Sequence, residues 1–348
     1  MSWTIVPASV MADSAEHIAG WRRLHDASAG SPLLAAEFAT AALTVFGRGD
    51  ERLAWYGDLA SPEIVALLAP GGRGVWNTFQ PSQAPLGFWL QRTPQLSCER
   101  LAALLRALPG PALMLGLSQC DPMLAPRPSD SGAMRTLDYI ETARISVTGS
   151  FDDYWEARGK NLRSNLRKQR KRLQQDGVPV RLELVRDEAA MAGAIDDYGM
   201  LESGGWKAAG GTAVCGTNAQ GRFYRLLLEA FARNGAASVY RYWIGGRLAA
   251  MDLCIEGGGS MVVLKTAYDE DMDHQLSPAL LMREEACRAL FDSKRFERIE
   301  FYGRVMDWHR RWTDEIRVMY HLNAYRWPWL ARLHARTVRP PPVINPGT

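Results

Sequence analysis

MVVLKTAYDEDMDHQLSPALLMREEACRALF, residues 261–291, is the stretch on which the fold turns. Met261, Val262, Val263 and Leu264 form a short apolar run rich in β-branched residues, as a central strand would. A polar loop follows, and Ser277-Pro278-Ala279 opens a helix. Ser277 suits the N-cap, and Pro278 suits the first helical position, where a missing N–H costs nothing. Ala279, Met282, Ala286 and Leu290 recur at helical spacing and are mostly small, which lets this helix lie close to a sheet. A strand that delivers the chain to a capped helix start is a general device for holding an anion. Taken alone, the segment is equally an ordinary strand–loop–helix unit.

Upstream, residues 238–243 and 247–255 read as strands joined by Ile244-Gly245-Gly246, a tight-turn sequence of hairpin type. Residues 180–185 read as a strand, and 187–203 and 220–234 as helices. Downstream, 298–302 and 316–325 read as strands and 327–335 as a closing helix. Hairpins with helices between them predict an α/β protein of the α+β kind, with a mixed sheet and not a doubly wound parallel one. The earlier part is less regular, with helices over 17–27, 35–46 and 98–108 and strands over 52–56 and 64–68. Residues 121–131, DPMLAPRPSDS, read as an exposed loop. Residues 139–147 alternate like a strand, and Ser150 caps the next helix, with Asp152 and Asp153 in its first turn. The boundary is placed near Thr148, giving domains 1–148 and 149–335 and a Pro-rich tail 336–348.

Composition narrows the function classes. The 348 residues, 47% of them hydrophobic, leave room for two medium domains. A net charge of +3 does not by itself imply nucleic acid. Five cysteines (98, 120, 215, 254 and 287) include no CxxC pair, which predicts reduced thiols and a cytoplasmic location. Six dispersed histidines lack HExxH or paired spacing, so no metal is expected. The first residues carry neither a basic nor an apolar leader region, and no apolar run reaches bilayer length, so a soluble chain is expected.

Several landmarks fall in a definite order. They are Ser150-Phe151-Asp152-Asp153-Tyr154-Trp155, a basic run over 160–173, Glu202, Trp206-Lys207 and Gly210-Gly211-Thr212-Ala213. Phe223-Tyr224, Gly245-Gly246-Arg247-Leu248-Ala249-Ala250, Lys265-Thr266-Ala267-Tyr268-Asp269, Ser277-Pro278, Glu300-Phe301-Tyr302-Gly303 and Arg311-Trp312 complete the set. The set resembles the acetyltransferases associated with bacterial cellulose biosynthesis (the CelD/BcsL-like group), a branch of the GNAT superfamily close to the FemAB peptidoglycan enzymes. The resemblance is dense over 150–325 and thinner earlier, at Trp21, Ser31-Pro32 and Pro85-Leu86-Gly87.

That resemblance implies tandem GNAT-like domains, the second better matched, although the sequence has no detectable short-period repeat. It also implies an N-acyltransferase linked to polysaccharide or cell-envelope biosynthesis. Such an enzyme moves an acetyl or other acyl group from acetyl-CoA or another acyl-CoA to a small-molecule or saccharide amine. Carried over, the thioester arm lies along Leu264, Lys265, Thr266 and Ala267, and the pyrophosphate meets Gln275, Ser277, Pro278 and Ala279. Trp206, Lys207 and Tyr302 fall on the acceptor side. Two departures stand out: the superfamily's Gly-rich turn is absent, and this branch's Ser-Pro-Gly reads Ser-Pro-Ala, which restricts close approach of a phosphate. Two other readings stay open. One is a FemAB-like transferase that draws an aminoacyl group from tRNA, and the other is a catalytically degenerate binding or assembly subunit.

Acyl transfer to an amine poses a definite problem. A free alkylamine has a pKa of about 10.4, so roughly one molecule in a thousand is unprotonated near pH 7.4, a deficit of about 4 kcal/mol. A base or a desolvating pocket must supply that. Asp252, inside an apolar strand, Tyr268, at the end of the key strand, His309 and Glu202 are the candidate catalytic side chains. Each has an ordinary structural alternative: an internal ion pair, a packed aromatic, a core histidine or a surface pair. The basic run places eight Lys or Arg between Arg158 and Arg172, with Leu162, Leu166 and Leu173 on one side. It lacks aromatic interleaving, so a solvated amphipathic helix is expected there and nucleic acid is not.

Overall fold

A computed structural model describes residues 1–28, 30–203, 214–216 and 218–337. In chain order they form β1 (Trp3–Pro7), α1 (Val10–Asp13), α2 (Ala15–Asp26), α3 (Ala36–Phe46), β2 (Arg52–Asp58), β3 (Ser61–Gly72), β4 (Val75–Thr78) and β5 (Trp89–Gln91). Next come α4 (Cys98–Ala107), β6 (Met114–Cys120), β7 (Met134–Ser146), α5 (Phe151–Glu156), α6 (Lys160–Gln175), β8 (Val180–Val185), α7 (Glu188–Ser203) and α8 (Ala219–Arg233). The chain continues through β9 (Ala237–Ile244), β10 (Arg247–Gly257), β11 (Ser260–Tyr268), α9 (Pro278–Ser293), β12 (Arg298–Phe301), α10 (Asp307–Trp312), β13 (Ile316–Tyr325) and α11 (Pro328–Thr337).

Local chemistry sets many of these boundaries. The β9–β10 turn works because Gly245 and Gly246 both take positive φ, 58° and 79°, the pair of values that a two-residue hairpin loop demands. The Ser150 hydroxyl accepts the Asp153 N–H at 3.1 Å and starts α5. The Asn218 side chain accepts the Gly221 N–H at 2.8 Å and starts α8. In α6 only Leu162, Leu166 and Leu173 are buried, so one apolar stripe packs inward beneath a cationic exterior.

Among the described residues thirteen strands form one mixed sheet, in the order β1-β2-β3-β4-β6-β13-β7-β12-β11-β10-β9-β8, with β5 on β3. Along that path all neighbours are antiparallel except β4 with β6 and β11 with β12. Those two parallel pairs expose a repeat. In each half a first strand leads through a helical segment to three antiparallel strands, and a crossover helix then returns the chain to a parallel strand. The halves are β1–β4 with α4 and β6, and β8–β11 with α9 and β12. Each lends its last strand to the middle, β7 pairing with β12 and β13 with β6. The mixed sheet expected from the sequence is the one observed.

Alternation divides the core by face. Met251, Leu253 and Ile255 of β10 join a cluster under α2, α3, α7 and α8. Ala250 and Cys254 join another that α5, α6 and α9 cover. A third cluster lies between α4 and the first half's other face. Asp121, expected in an exposed loop, is instead buried, because its carboxylate accepts from Arg317 at 2.8 and 3.0 Å and from the Tyr302 hydroxyl at 2.8 Å.

Gly87 sits where β4 and β6 part: a Cβ there would lie 2.2 Å from the Thr78 hydroxyl and 2.7 Å from the Ser118 carbonyl oxygen. Gly87→Ala is therefore expected to lower the unfolding free energy in urea by about 1–3 kcal/mol. Gly193→Ala, in the middle of α7 with nothing within 4 Å, should instead raise it by roughly 0.5–1 kcal/mol.

Candidate active site in the second half

β11 pairs with β12 only from Ser260 to Val263. Its register against β10 jumps from Cys254↔Val263 to Leu253↔Lys265, which leaves Leu264 as the extra residue of a bulge. A bulge bends the strand and sharpens its twist. Beyond it, residues 264–268 stay on β10 while β12 ends at Phe301. Among the described residues no strand pairs with the other edge of this stretch, so the two parallel strands open into a wedge. The equivalent wedge in the first half is filled by its own chain. There Ser118 N–H donates to the Thr78 hydroxyl at 3.0 Å, and Gly87 N–H donates to the Ser118 carbonyl at 3.0 Å. Phe79 and Phe88 stack behind them with centroids 6.0 Å apart.

On one face of the open wedge Lys265 Nζ lies 3.2 Å from Glu202 Oε1, and the other Glu202 oxygen accepts the Val214 N–H at 2.6 Å. The rings of Tyr198 and Tyr224 flank the ammonium at 5.9 and 5.7 Å. Burial, and next the Glu202 charge, raises both phenols, so they stay protonated donors. The buried Tyr198 hydroxyl has no hydrogen-bond partner among the described residues.

On the opposite face Asp252, 2% exposed, meets Arg283 of α9 in a two-pronged pair, 3.1 Å at each oxygen. The Thr266 hydroxyl donates to Asp252 at 2.5 Å and accepts from Arg283 at 2.9 Å. Burial lifts the Asp252 carboxyl above its ordinary range, opposed by Arg283 and then by Thr266. The guanidinium lies over the rings of Phe301 and Trp308 at 5.1 and 5.4 Å, and His309 stacks on Trp308 at 3.5 Å. Met306 N–H donates to His309 Nδ1 at 3.0 Å. Burial, and next the Arg283 charge, pushes this imidazole down to about 4, so it is neutral at physiological pH.

The four candidate catalytic residues thus part company. Glu202 faces one side of the sheet, Asp252 and His309 share the other, and Tyr268 stands 46% exposed at the strand end. Of the expected donor contacts, Leu264, Lys265 and Ala267 lie toward the Glu202 face and Thr266 toward Asp252. Tyr302 turns to the first half, where it lines a cavity of about 310 Å³ with Asp121, Arg144, Arg298 and Glu300. Trp206 and Lys207 lie outside the described residues.

The start of α9 is partly occupied. Ser277 N–H donates to Gln169 Oε1 of α6 at 2.9 Å, and Gln275 Oε1 accepts from Arg172 at 2.6 Å. Pro278 is buried and Ala279 half-buried. The loop before them carries Asp269, Glu270, Asp271 and Asp273; Asp269 is held by Arg247 and Asp273 by Arg172 at 2.7 Å. Arg283, Tyr198 and Tyr224 escaped the sequence reading as site residues. Arg283 had a signal, since a charge beside Met282 on the helix's apolar stripe demands a buried partner such as Asp252.

Residues 160–310 match the family model described as an acetyltransferase (GNAT) domain. Among solved structures the chain is similar to FemX, with a TM-score of 0.58 at 9% identity, covering 96% of this chain and 99% of that one. It is also similar to the C-terminal domain of a protein described as a lysylphosphatidylglycerol synthetase from Agrobacterium fabrum, at TM-score 0.54 and 13% identity over 85% and 91% of the two chains. No curated protein sequence matches it. Residues 160–310 of the second half thus match a GNAT-type acetyltransferase domain, and the doubled unit is a tandem GNAT-like fold.

Asp252→Asn is expected to cost about 3–5 kcal/mol in a urea titration, because it leaves the Arg283 charge buried without its counterion. His309 carries a pH signature. Its folded pKa lies below the unfolded value of 6.5, so the unfolded chain takes up the proton first as pH falls. This contribution is complete above pH 6.5 and drains away between 6.5 and about 4. The loss is on the order of 3 kcal/mol. Differential unfolding of wild type and His309→Asn across that window checks it, the variant losing less stability.

Proposed function

We propose that the chain is an N-acyltransferase whose second half takes an acyl thioester, acetyl-CoA or another acyl-CoA, and passes the acyl group to an amine. The observation that carries this reading is the wedge between β11 and β12, which no strand among the described residues fills in the half that matches the acetyltransferase model and which the chain fills in the other half. An extended acyl arm can lie on the free edge of residues 264–268 as an added strand would, with backbone N–H groups available to the developing oxyanion. The amine nitrogen attacks the thioester carbonyl, the C–N bond forms and the C–S bond breaks. The ammonium proton passes to Glu202, and the leaving thiolate takes a proton from Tyr268 at the strand end. Lys265, 3.2 Å away, orients the Glu202 carboxylate. Asp252 and His309 support the floor through Arg283. The acceptor is a saccharide or cell-envelope amine, a reading that rests on the ordered landmarks alone.

An aminoacyl-tRNA donor is the second reading, and one observation favours it. Four carboxylates at 269–273 precede in sequence the helix start where a pyrophosphate would sit, while Lys160, Arg167, Lys168 and Lys171 line the exposed side of α6, the helix that touches that start. Phosphate-driven binding would weaken steeply with salt as counterions are released.

Calorimetric titration with CoA and acyl-CoAs, followed by thiol release over an amine panel, tests the first reading. Binding of acyl-CoA is expected, with Glu202→Gln slowing turnover roughly 100-fold and flattening the acidic limb of its pH profile. Absence of acyl-CoA binding, together with tight, salt-sensitive binding of aminoacyl-tRNA that Arg167→Glu and Lys171→Glu abolish, would replace it with the second.

A further inference from the structure

Helix α11 is packed inside out. Among its described side chains the buried one is Ala331, fully enclosed, while Trp327 just ahead of the helix and Trp329 and Leu333 within it are 45%, 56% and 53% exposed. The two indoles stack on each other, centroids 6.0 Å apart and 10° from parallel, on the outer side. An ordinary surface helix turns its large apolar residues to the core and its small or charged ones to water. Here the root of the helix is nonetheless well tied. Arg326 donates to the carbonyls of Leu105 and Ala112 at 3.1 and 3.4 Å, and the Tyr325 hydroxyl meets His334 Nδ1 at 2.6 Å. The outward apolar face therefore sits on a fixed platform.

Charge along this stretch of sequence has one sign. From Arg326 to Thr348 the sequence holds four arginines and one histidine and no aspartate or glutamate. Arg326 lies 5.5 Å from the Trp327 ring, and Arg332 is exposed between Trp329 and Leu333. Tryptophan is the side chain that settles at the boundary between lipid tails and headgroups, its ring apolar and its N–H wet. Arginine beside it meets lipid phosphates. At ten residues α11 is about half the length that a bilayer crossing needs, so such a helix lies along the surface.

We infer that the outward face of α11, with Trp327, Trp329, Leu333 and Arg332, docks the protein onto a bilayer surface bearing anionic phospholipid headgroups. This contact stands on different residues from the acyl-transfer wedge and does not depend on that reading.

Co-sedimentation of the full chain with vesicles tests it, using phosphatidylcholine alone and phosphatidylcholine mixed equally with phosphatidylglycerol. The protein is expected to pellet with the mixed vesicles and not with the neutral ones, and to come off as salt rises. Trp327→Ser with Trp329→Ser should lower the partition roughly tenfold or more, since less apolar surface enters the interface. Arg332→Glu should weaken binding with both indoles in place. The thermal midpoints of these variants should match wild type, because the changed side chains are exposed. Failure to bind the mixed vesicles overturns the inference, as does equal binding by the double Trp variant. A wild-type dimer in light scattering that becomes a monomer in that variant overturns it too, and assigns the patch to a second copy.

Discussion

The exchange of the two central strands is the constraint on which the rest of the structure depends. β7 leaves the first half to pair with β12, and β13 returns from the end of the chain to pair with β6 and β7. Buried backbone groups must be hydrogen-bonded, so neither half completes its ladder without the other. Side chains reinforce the exchange at one point. Arg317 of β13 holds Asp121 from the first half and Glu300 of β12 at 2.8 Å each, with Tyr302 donating to the same Asp121. β12 is thereby fixed from one side, and the bulge at Leu264 carries β11 away from it. The wedge is the difference between a strand that is held and a strand that bends.

The two faces of that wedge hold their charges differently. Beneath it, Asp252 and Arg283 are both almost fully enclosed and satisfy each other through Thr266. A pair so placed adds little net stability but severely penalises any packing that separates it, and so specifies how α9 seats on β10 and β11. Above it, Lys265 keeps 22% of its side chain exposed and reaches Glu202 between two tyrosine rings. Charge exchange with a ligand is easier on the upper face, where one partner already touches solvent. His309, neutral and anchored to the Met306 N–H, belongs to the lower scaffold.

The second half was largely legible because its signals are local. Its strands alternate or run apolar, Gly245-Gly246 makes a turn only one way, and Ser150 and Asn218 cap helices through their own side chains. The first half was harder: β1, β4, β5 and β6 are three to seven residues long, and their burial comes from partners distant in sequence. The repeat was invisible because topology, not residue identity, carries it. Site residues separated along the same line. Strand parity puts Ala250, Asp252 and Cys254 on one face, but only tertiary packing reveals that Arg283 answers the carboxylate. Asp121 defeated its loop composition for the same reason, since its partner Arg317 lies 196 residues away.

The asymmetry of the two wedges follows from the composition of one connection. After its fourth strand the first half continues through Phe79, Ala84, Leu86, Gly87 and Phe88, apolar or small residues that fold back between β4 and β6 and bury. At the same point the second half reads Asp269-Glu270-Asp271-Met272-Asp273-His274-Gln275. Drawing four carboxylates into the gap would cost more than any packing could return. Asp269 and Asp273 are tied instead to Arg247 and Arg172, and among the described residues the gap stays open. The same unit is thus used twice, once closed on itself and once, among the described residues, left open as the proposed site. The charges that exclude the loop from the wedge would also set the electrostatic terms on which the proposed donor enters it.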